Sequence, residues 1–501
     1  MTRTHRSLAL AILGLAFLSV AGASSNNASA VCQLISRTLS SASEIFFPGS
    51  PQYAEDNAHY TISSTQNSTC TVEPGNVSDV AKIIKILADT RPPFGVKSGG
   101  HSTNPTFSST SGVEVALTRL NGIDYDAASQ TVAVGTGLVF DDVYAALAPH
   151  NVTVAGGRVT GIGVGGFTLG GGYSWKANQH GLTIDTVVAY ELVLPSGHVV
   201  NVTSSSHPDL FFGLKGGGNN FGIVTKITFR VFPQGEVWGG LLTTLDIKSA
   251  VAATANFSEK STDPKAAVLS SIGFANDTVI VSLQLFYDGP TPPPGLFDAF
   301  IALSGTALQS NLKTSSFLDF LMNDSPGSTD FRTRYNHIPV TDYSVELLNA
   351  LTNESMVAAN ALQALHPNDT FIVIFTAEPF LPDILDHSGP SPLPNLPPTA
   401  YPPSRARRYL PTNTNIFWTQ ASSDASVNQV VFDAEANIRA KAAELGQPVG
   451  LTEPNVAKYP NYAAIGSSLE SLYGTNLPTL KAIKEKYDPE NVMGLAGGWK
   501  L

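Results

Sequence analysis

The chain contains few cysteines and few charged residues, and each of these shortages excludes a class of ligand or partner. Its 501 residues include only two cysteines, Cys32 and Cys70, which cannot form a zinc site by themselves. Charged residues make up 14% of the chain, and the net charge is −11. The one dense basic cluster, at Arg405, Arg407 and Arg408, is too small to neutralise a phosphate backbone. We therefore exclude nucleic acid as a partner, and we expect no metal.

Hydrophobic runs long enough to span a membrane are also lacking. The clearest apolar run, Leu8 to Val20, follows Arg3 and Arg6 and is too short to cross a bilayer. It precedes Ala21-Gly22-Ala23, a small-residue cleavage site, with Ala28-Ser29-Ala30 as a second choice. This pattern predicts a secretory signal peptide over residues 1–23 and no membrane association, with an uncleaved anchor as the alternative.

Two further features agree with secretion. Sequons for N-glycosylation occur at ten asparagines: Asn27, Asn67, Asn76, Asn151, Asn201, Asn256, Asn276, Asn323, Asn353 and Asn368. So many sequons after a signal peptide predict a glycoprotein. In an oxidising compartment, Cys32 and Cys70 most simply form one disulfide bond.

The length of the chain predicts two or three domains. With 43 glycines and 33 prolines, the chain fits a loop-rich α+β protein better than a helical bundle. The composition shifts after Pro233, so we expect an N-terminal cofactor domain over 24–235, a central domain over 236–447 and a C-terminal segment over 448–501. The proline-rich stretch 390–403 predicts an extended surface loop.

Three glycine-rich segments are candidates for a cofactor site. In the first, Val96-Lys97-Ser98-Gly99-Gly100-His101-Ser102, a strand leads into two glycines whose backbone N–H groups can form a nest for a pyrophosphate. His101 follows directly, so its imidazole can reach a ligand there. The alternative is an ordinary turn followed by a surface histidine.

The second segment, residues 156–172, contains the pattern G-x-G-x-x-G from Gly161 to Gly166, with Asp185 further on. That combination suggests a nicotinamide dinucleotide site, but the stretch stays glycine-rich where such a fingerprint should open a helix. A second backbone wall against a bulky cofactor suits it better. The third segment, residues 211–225, is by itself a glycine loop before a buried strand.

In this order and spacing, the three segments resemble the PCMH-type FAD-binding domain of the vanillyl-alcohol oxidase superfamily. They are most similar to the berberine-bridge-enzyme-like branch of that superfamily, and in particular to its fungal members. The resemblance resumes in three C-terminal motifs: Tyr459-Pro460-Asn461-Tyr462, Tyr473-Gly474-Thr475-Asn476 and Tyr487-Asp488-Pro489-Glu490-Asn491-Val492-Met493. It implies an α+β fold in which the FAD-binding domain is followed by a substrate domain, an antiparallel sheet backed by helices.

The resemblance also implies roles for single residues. His101 is expected to bond covalently to the 8α carbon of FAD. Further contacts with FAD are expected from Val96, Lys97, Ser98, Gly99, Gly100, Ser102, Gly163, Gly165, Gly166, Tyr173, Ile223 and Asn461. Val159 stands where relatives carry a second, cysteine anchor, so the link is expected to be single. Ile162 stands at the oxygen-gating position, and its bulk leaves a dehydrogenase open beside an oxidase.

Tyr462 is the residue expected to act as catalytic base. Hydride leaves a substrate C–H for flavin N5 while a neighbouring O–H or N–H loses its proton. A tyrosine with its ordinary pKa of about 10 needs a positive charge or strong hydrogen bonds to accept that proton near neutral pH. The alternative is a packed aromatic residue with a bonded hydroxyl group.

These expectations combine into a secreted FAD-linked oxidase or dehydrogenase. Its substrate would be an alcohol, a sugar hemiacetal or a secondary-metabolite intermediate, with O2 or another acceptor taking the electrons. One alternative is an oxidative cyclase, in which an internal nucleophile traps the oxidised product. Another is a secreted flavin-binding glycoprotein that does not turn over.

Overall fold

The computed structural model describes residues 18–323, 330–453 and 456–501. Residues 1–17, which carry most of the predicted signal peptide, lie outside the described residues. Helix α1 (Leu18–Thr38) includes both predicted cleavage sites. Within the described ranges, no helix is long and apolar enough to span a bilayer.

The N-terminal part of the chain forms a small mixed sheet. Its strands are β1 (Glu44–Phe46), β2 (Cys70–Glu73), β3 (Phe94–Lys97) and β4 (Val113–Ala116), in the order β1-β2-β4-β3. Strand β4 runs parallel to β2 and β3. Helix α2 (Pro51–Asn57) precedes β2, and α3 (Val77–Thr90) buries Val80, Ile83, Ile84 and Leu87 at helical spacing. The predicted Cys32–Cys70 disulfide is present and joins α1 to β2.

A second, antiparallel sheet follows. Its strands are β5 (Ile123–Asp126), β6 (Thr131–Gly135), β8 (Val187–Val193), β9 (Val199–Val202) and β10 (Ile223–Arg230), in the order β5-β6-β10-β8-β9, while β7 (Val152–Thr153) pairs with β11 (Phe232–Pro233). The connecting helices are α4 (Phe140–Leu147), α5 (Val164–Leu169), α6 (Ala177–His180), α7 (Thr183–Thr186) and α8 (Pro208–Leu214). Strands β8 and β9 pair antiparallel and form a hairpin across residues 195–197.

One local expectation in this region is wrong. The second glycine segment was expected to stay a loop, but α5 begins at Val164, directly after Gly163. The helix lasts only six residues and its first residues, Val164 and Gly165, are buried. Tertiary packing therefore overrides the low helix propensity of glycine at this point.

The third sheet draws its strands from residues 237–418. They are β12 (Val237–Thr244), β13 (Ala266–Ala275), β14 (Thr278–Tyr287), β15 (Gln309–Ser310), β16 (Lys313–Ser315), β17 (Arg332–Val340), β18 (Ile372–Ala377) and β19 (Leu410–Trp418). The order is β15-β12-β14-β13-β18-β19-β17, with β16 also paired to β12, and every pairing is antiparallel.

Long helices back this sheet. The remaining helices are α9 (Ile247–Lys260), α10 (Asp298–Ile301), α11 (Phe317–Asn323), α12 (Val345–Leu365), α13 (Asp424–Glu444), α14 (Leu469–Tyr473) and α15 (Leu477–Tyr487). Short 3-10 turns lie at Ala148–His150, Ala302–Gly305, Ala421–Ser423, Gly474–Asn476 and Met493–Leu495. Helices α9, α12 and α13 pack against the strands. The other face is left for the site, and the predicted α+β class with an antiparallel, helix-backed sheet is confirmed.

The proline-rich stretch differs from the surface loop that was expected. Its end is buried: Thr399, Ala400 and Tyr401 are 0%, 0% and 2% exposed. The backbone N–H groups of Ala400 and Tyr401 donate to the Lys215 carbonyl at 2.9 and 3.2 Å. The Tyr401 ring packs 5.6 Å from that of Tyr459, so burial of an aromatic ring holds this end of the loop inside.

Candidate active site

A cavity of about 380 Å³ lies between the second sheet, the third sheet and the C-terminal segment. Nearly all the residues predicted for the site line it: Val96, Ser98, Gly99, Gly100, His101, Ser102, Gly163, Gly165, Gly166, Tyr173, Ile223, Asn461 and Tyr462. Lys97 is the exception. Its ammonium group turns away and donates to the carbonyls of Glu55 and Asp56 at 3.0 and 2.8 Å.

The first two glycine segments touch backbone to backbone. A Cβ on Gly99 would stand 2.5 Å from the Gly163 nitrogen, and one on Gly163 would stand 2.1 Å from the Gly99 nitrogen. Ser98 joins the same segments, because its Oγ accepts from the Gly165 N–H at 3.1 Å and donates to the Thr136 carbonyl at 2.6 Å. Only glycine allows this approach, which explains why both segments carry it.

The turn before His101 presents free backbone donors. Among the described residues, none accepts a hydrogen bond from the N–H groups of residues 99–102. Gly100 has a φ of +66°, the left-handed conformation that lets successive N–H groups form a nest. Glu378 is the only acidic residue that lines the cavity within the described ranges. These features fit the pyrophosphate of a dinucleotide cofactor.

His101 is held neutral in the cavity wall. Burial lowers the pKa of its imidazole to about 4. A neutral imidazole keeps a lone pair for bond formation, which a protonated ring lacks. The ring stacks on Tyr60 with centroids 4.0 Å apart and planes 19° apart.

The half-buried Tyr462 forms a cluster with the buried Arg158 and Glu378. Its hydroxyl accepts a hydrogen bond from Arg158 Nη2 at 2.8 Å and donates one to Glu378 Oε1 at 3.1 Å. Arg158 Nη2 also forms an ion pair with Glu378 Oε2 at 2.7 Å, and the two side chains are 7% and 2% exposed. Arg158 therefore supplies a positive charge beside the Tyr462 hydroxyl.

Burial dominates the protonation of this cluster. Desolvation and the Glu378 charge together raise the pKa of Tyr462 well above its usual value, although Arg158 opposes them. Desolvation also raises the pKa of Glu378 against the pull of Arg158. Burial disfavours the charged form of Arg158, but Glu378 and Tyr462 outweigh it and the pKa of Arg158 is raised. Tyr462 is therefore protonated at rest, and its hydroxyl is hydrogen-bonded to the Glu378 carboxyl group.

The other tyrosine of the C-terminal motif has a supporting role. The hydroxyl of Tyr459 accepts from the Gly172 N–H at 3.1 Å and from Asn461 Nδ2 at 2.9 Å. Asn461 also donates to the Phe167 carbonyl at 3.0 Å, which ties the motif to the second glycine segment. The Tyr459 N–H donates to Nδ1 of the buried His337 at 3.0 Å.

The nicotinamide alternative is not supported. Asp185, its candidate ribose ligand, accepts two hydrogen bonds from Arg405 at 2.7 and 3.1 Å and does not line the cavity. Val159 and Ile162 do line it. The only thiols of the chain form the disulfide, so no sulfur stands at the cavity wall.

Several lining residues carry no recognisable sequence signal. Glu378 follows β18 after an apolar run, and Arg158 stands among glycines, where its charge was the only hint. The third sheet contributes Leu269, Ser271, Tyr335, Thr376 and Asn413, a mixture of apolar, hydroxyl and amide side chains. Trp499, near the end of the chain, also lines the cavity. Its Nε1 donates a hydrogen bond to the Pro460 carbonyl at 3.0 Å.

Comparison with known proteins decides the family. The profile described as "FAD binding domain" matches residues 68–203, and the one described as "Berberine and berberine like" matches residues 458–496. An FAD-dependent monooxygenase of Cochliobolus heterostrophus, tpcD, is 30% identical over 94% of this chain and 93% of its own. The chain belongs to the berberine-bridge-enzyme-like family of FAD-linked oxidoreductases.

Two other proteins show how far the similarity to known proteins extends. An uncharacterized FAD-linked oxidoreductase of Arthroderma benhamiae is 34% identical over 63% of this chain, and the match spans 62% of that protein's length. A glucooligosaccharide oxidase structure from Acremonium strictum, described with a 6-S-cysteinyl, 8α-N1-histidyl FAD, has a TM-score of 0.71. It is 19% identical over 94% of this chain and 97% of its own, so that likeness concerns the PCMH-type fold. The berberine-bridge-like family binds FAD, and the glycine-walled cavity with its free backbone donors fits that cofactor.

Proposed function

We propose that this enzyme removes hydride from a carbon that bears an O–H or N–H group on a small organic substrate. The single observation that carries the proposal is the Tyr462–Glu378–Arg158 cluster, which places a proton-accepting pair in the wall of the cavity that fits FAD. Within the family, this cluster supports oxidation of a substrate over flavin binding without turnover.

The three glycine segments would hold FAD. The free N–H groups of residues 99–102 suit its pyrophosphate, and Ile223 and Asn461 also line the cavity. When bound, FAD supplies the hydride acceptor at its N5 atom. The protein's own work is to orient the substrate, exclude water and move a proton.

Tyr462 and Glu378 would move that proton together. Tyr462 Oη takes the substrate's O–H or N–H proton as its own proton passes to Glu378 Oε1, 3.1 Å away. Burial raises the pKa of Glu378, which makes its carboxylate the better acceptor. Arg158, 2.8 Å from Tyr462 Oη, stabilises negative charge on that oxygen while the proton moves.

We further infer that FAD is attached through His101 alone. The half-buried, neutral imidazole in the cavity wall supports this link, as does the histidyl flavin named for the Acremonium strictum oxidase. That protein's second, cysteinyl link has no counterpart here, because Val159 lines the cavity and both cysteines are in the disulfide.

The substrate would lie against the third sheet. Ser271, Thr376 and Asn413 offer hydroxyl and amide groups, while Leu269 and Tyr335 offer apolar surface. This mixture suits an alcohol, a sugar hemiacetal or a hydroxylated secondary-metabolite intermediate. O2 or another acceptor would reoxidise the flavin, and the bulk of Ile162 in the wall favours an acceptor other than O2.

Secretion and glycosylation are part of the proposal. Among the sequon asparagines whose burial the structure describes, seven are exposed: Asn67, Asn151, Asn201, Asn256, Asn276, Asn353 and Asn368. Asn76 is half-buried, and its side chain caps α3. The buried disulfide also fits an oxidising compartment.

Anaerobic mixing with a panel of alcohols, sugars and phenols tests the function. We expect at least one compound to bleach the visible absorbance of the oxidised flavin. Failure of every compound to bleach the flavin, with dithionite still able to do so, would favour a protein that binds flavin without turnover. Product analysis under ¹⁸O2 then separates a carbonyl product, a cyclised product and the oxygen insertion that the name of the Cochliobolus relative suggests.

A further inference from the structure

Tyr60 lies beside the histidine proposed to carry the flavin, although it belongs to no recognised motif. It follows α2, in the segment between that helix and β2. Its ring stacks on that of His101 at 4.0 Å with only 19° between the planes. One face of the imidazole is therefore covered by an aromatic ring, and rotation of the imidazole about its side-chain bonds is restricted.

The backbone holds this stack in register. The Tyr60 N–H donates to the Gly100 carbonyl at 3.0 Å, so Tyr60 is attached to the residue directly before His101. Gly100 reaches this geometry with a φ of +66°. A Cβ on Gly100 would come within 3.2 Å of His59 Cδ2 and 3.0 Å of Lys97 Cε, which shows how tightly the two segments pack.

The third sheet supports the stack from the other side. The Tyr60 ring lies 6.3 Å from the ring of Tyr335 of β17, with 40° between the two planes. The Tyr335 N–H donates to Thr103 Oγ1 at 3.1 Å, two residues after His101. Arg334 Nη1 donates to the Thr103 carbonyl at 2.8 Å. The loop that carries His101 is thus fixed on both sides of the histidine.

We infer that Tyr60 is a positioning residue for covalent attachment of the flavin: its ring fixes the plane of His101 so that a ring nitrogen faces the 8α carbon of bound FAD. The inference rests on the proposed link through His101. Tyr60 takes no part in substrate oxidation; it acts through His101 alone.

In the attachment step, a bond forms between a ring nitrogen of His101 and the 8α carbon, while one C–H bond of the methyl group and the N–H of the imidazole are lost. The two electrons and two protons released pass to the flavin ring system and then to O2, which is reduced to hydrogen peroxide. The rate depends on how often the nitrogen faces the carbon, and this is the quantity that stacking controls.

The test follows flavin attachment in Tyr60 variants of the full-length protein. Wild type, Tyr60→Phe, Tyr60→Leu and Tyr60→Met are purified from riboflavin-starved cells and mixed with FAD in air. At intervals, acid-insoluble flavin and total bound flavin are measured separately. Because the first reports attachment and the second reports binding, a general structural defect and a positioning defect are distinguished.

We expect Tyr60→Phe to attach flavin at the wild-type rate, since the stack is retained. Loss of a stack should slow attachment in Tyr60→Leu roughly two- to tenfold while total flavin binding is kept. Tyr60→Met gives the same comparison if the leucine variant is insoluble. Equal rates in wild type and the aliphatic variants would overturn the inference, as would a Tyr60→Phe variant as slow as they are. A wild-type protein that binds FAD without attaching it overturns the covalent link as well.

Discussion

The hydroxyl of Tyr462 donates a hydrogen bond to Oε1 of Glu378 at 3.1 Å, across 84 residues of sequence. The two residues come from different parts of the fold, the C-terminal segment and the end of β18. In the proposed reaction, this contact would let the Tyr462 proton pass to Glu378 as Tyr462 takes up the substrate's proton. Arg158 would stabilise negative charge on the Tyr462 oxygen during the transfer. Proton transfer in the proposed reaction depends on this contact.

Removing the carboxylate should stop proton transfer without removing the flavin. Glu378→Gln is expected to lower the rate of anaerobic flavin reduction by roughly 10²- to 10⁴-fold, the usual contribution of a positioned acid or base. Stopped-flow reduction by whichever substrate bleaches the wild type gives the measurement. Glu354→Gln is the control, because Glu354 is also buried but lies on α12 away from the cavity. Equal losses in both variants would contradict the assignment.

The pH dependence should follow Glu378. Burial raises the pKa of this carboxyl above its ordinary value, and the proton path needs the carboxylate. The rate of flavin reduction should therefore rise with pH through the raised pKa of Glu378, and this limb should be absent in Glu378→Gln. Carboxyl groups with a raised pKa titrate between about pH 4 and 8. A wild-type rate of flavin reduction that does not change over this range would count against the proposed proton path.

Arg158 should be needed for stability as well as for chemistry. Arg158→Leu leaves the Glu378 carboxylate buried without its cation, which commonly costs about 3–5 kcal/mol. Adding Glu378→Gln should recover part of this free energy of unfolding, measured in urea. The exposed Lys441–Glu444 pair is the control, and Lys441→Leu should change stability by less than about 1 kcal/mol. If the changes in the free energy of unfolding caused by Arg158→Leu and Glu378→Gln simply add in the double variant, the two side chains are not coupled.

Stability in acid should reflect His337. Burial lowers its pKa to about 3 from the ordinary 6.5, so the unfolded chain binds a proton that the folded protein rejects. The stabilising contribution is complete above about pH 6.5 and is lost as the pH falls towards 3. The free energy of unfolding of His337→Gln should therefore fall less steeply over this window than that of wild type. The exposed His198 gives a control, His198→Gln, whose slope should match wild type.

The chain's last residues should help retain the cofactor. Trp499 lines the cavity, meets Phe107 edge to face at 4.9 Å, and its carbonyl accepts from Asn220 Nδ2 at 2.9 Å. In a His101→Ala background, Trp499→Ala should speed FAD dissociation roughly tenfold, as expected for loss of an aromatic contact. Trp238→Ala is the control, since Trp238 packs on Phe297 away from the cavity. Unchanged dissociation in Trp499→Ala would remove this role.

The sequence could predict the backbone part of the site but not its electrostatics. The glycine segments are readable because close approach of two chains demands glycine at fixed positions, as at Gly99 and Gly163. Tyr462 was found through its motif. Glu378 and Tyr60 could not be found, because no periodicity connects residues that meet only through tertiary folding. The burial of Tyr401 in a proline-rich loop was missed for the same reason.

The most direct test of the central claim is acid precipitation of the purified protein, followed by visible spectra of the pellet and supernatant and by peptide mapping. We predict a yellow pellet whose flavin maps to the peptide that contains His101. The His101→Ala variant should give a colourless pellet and a yellow supernatant. A well-folded wild-type sample with no flavin in either fraction would contradict the assignment of the cavity to FAD, and a yellow pellet from His101→Ala would contradict the link through His101.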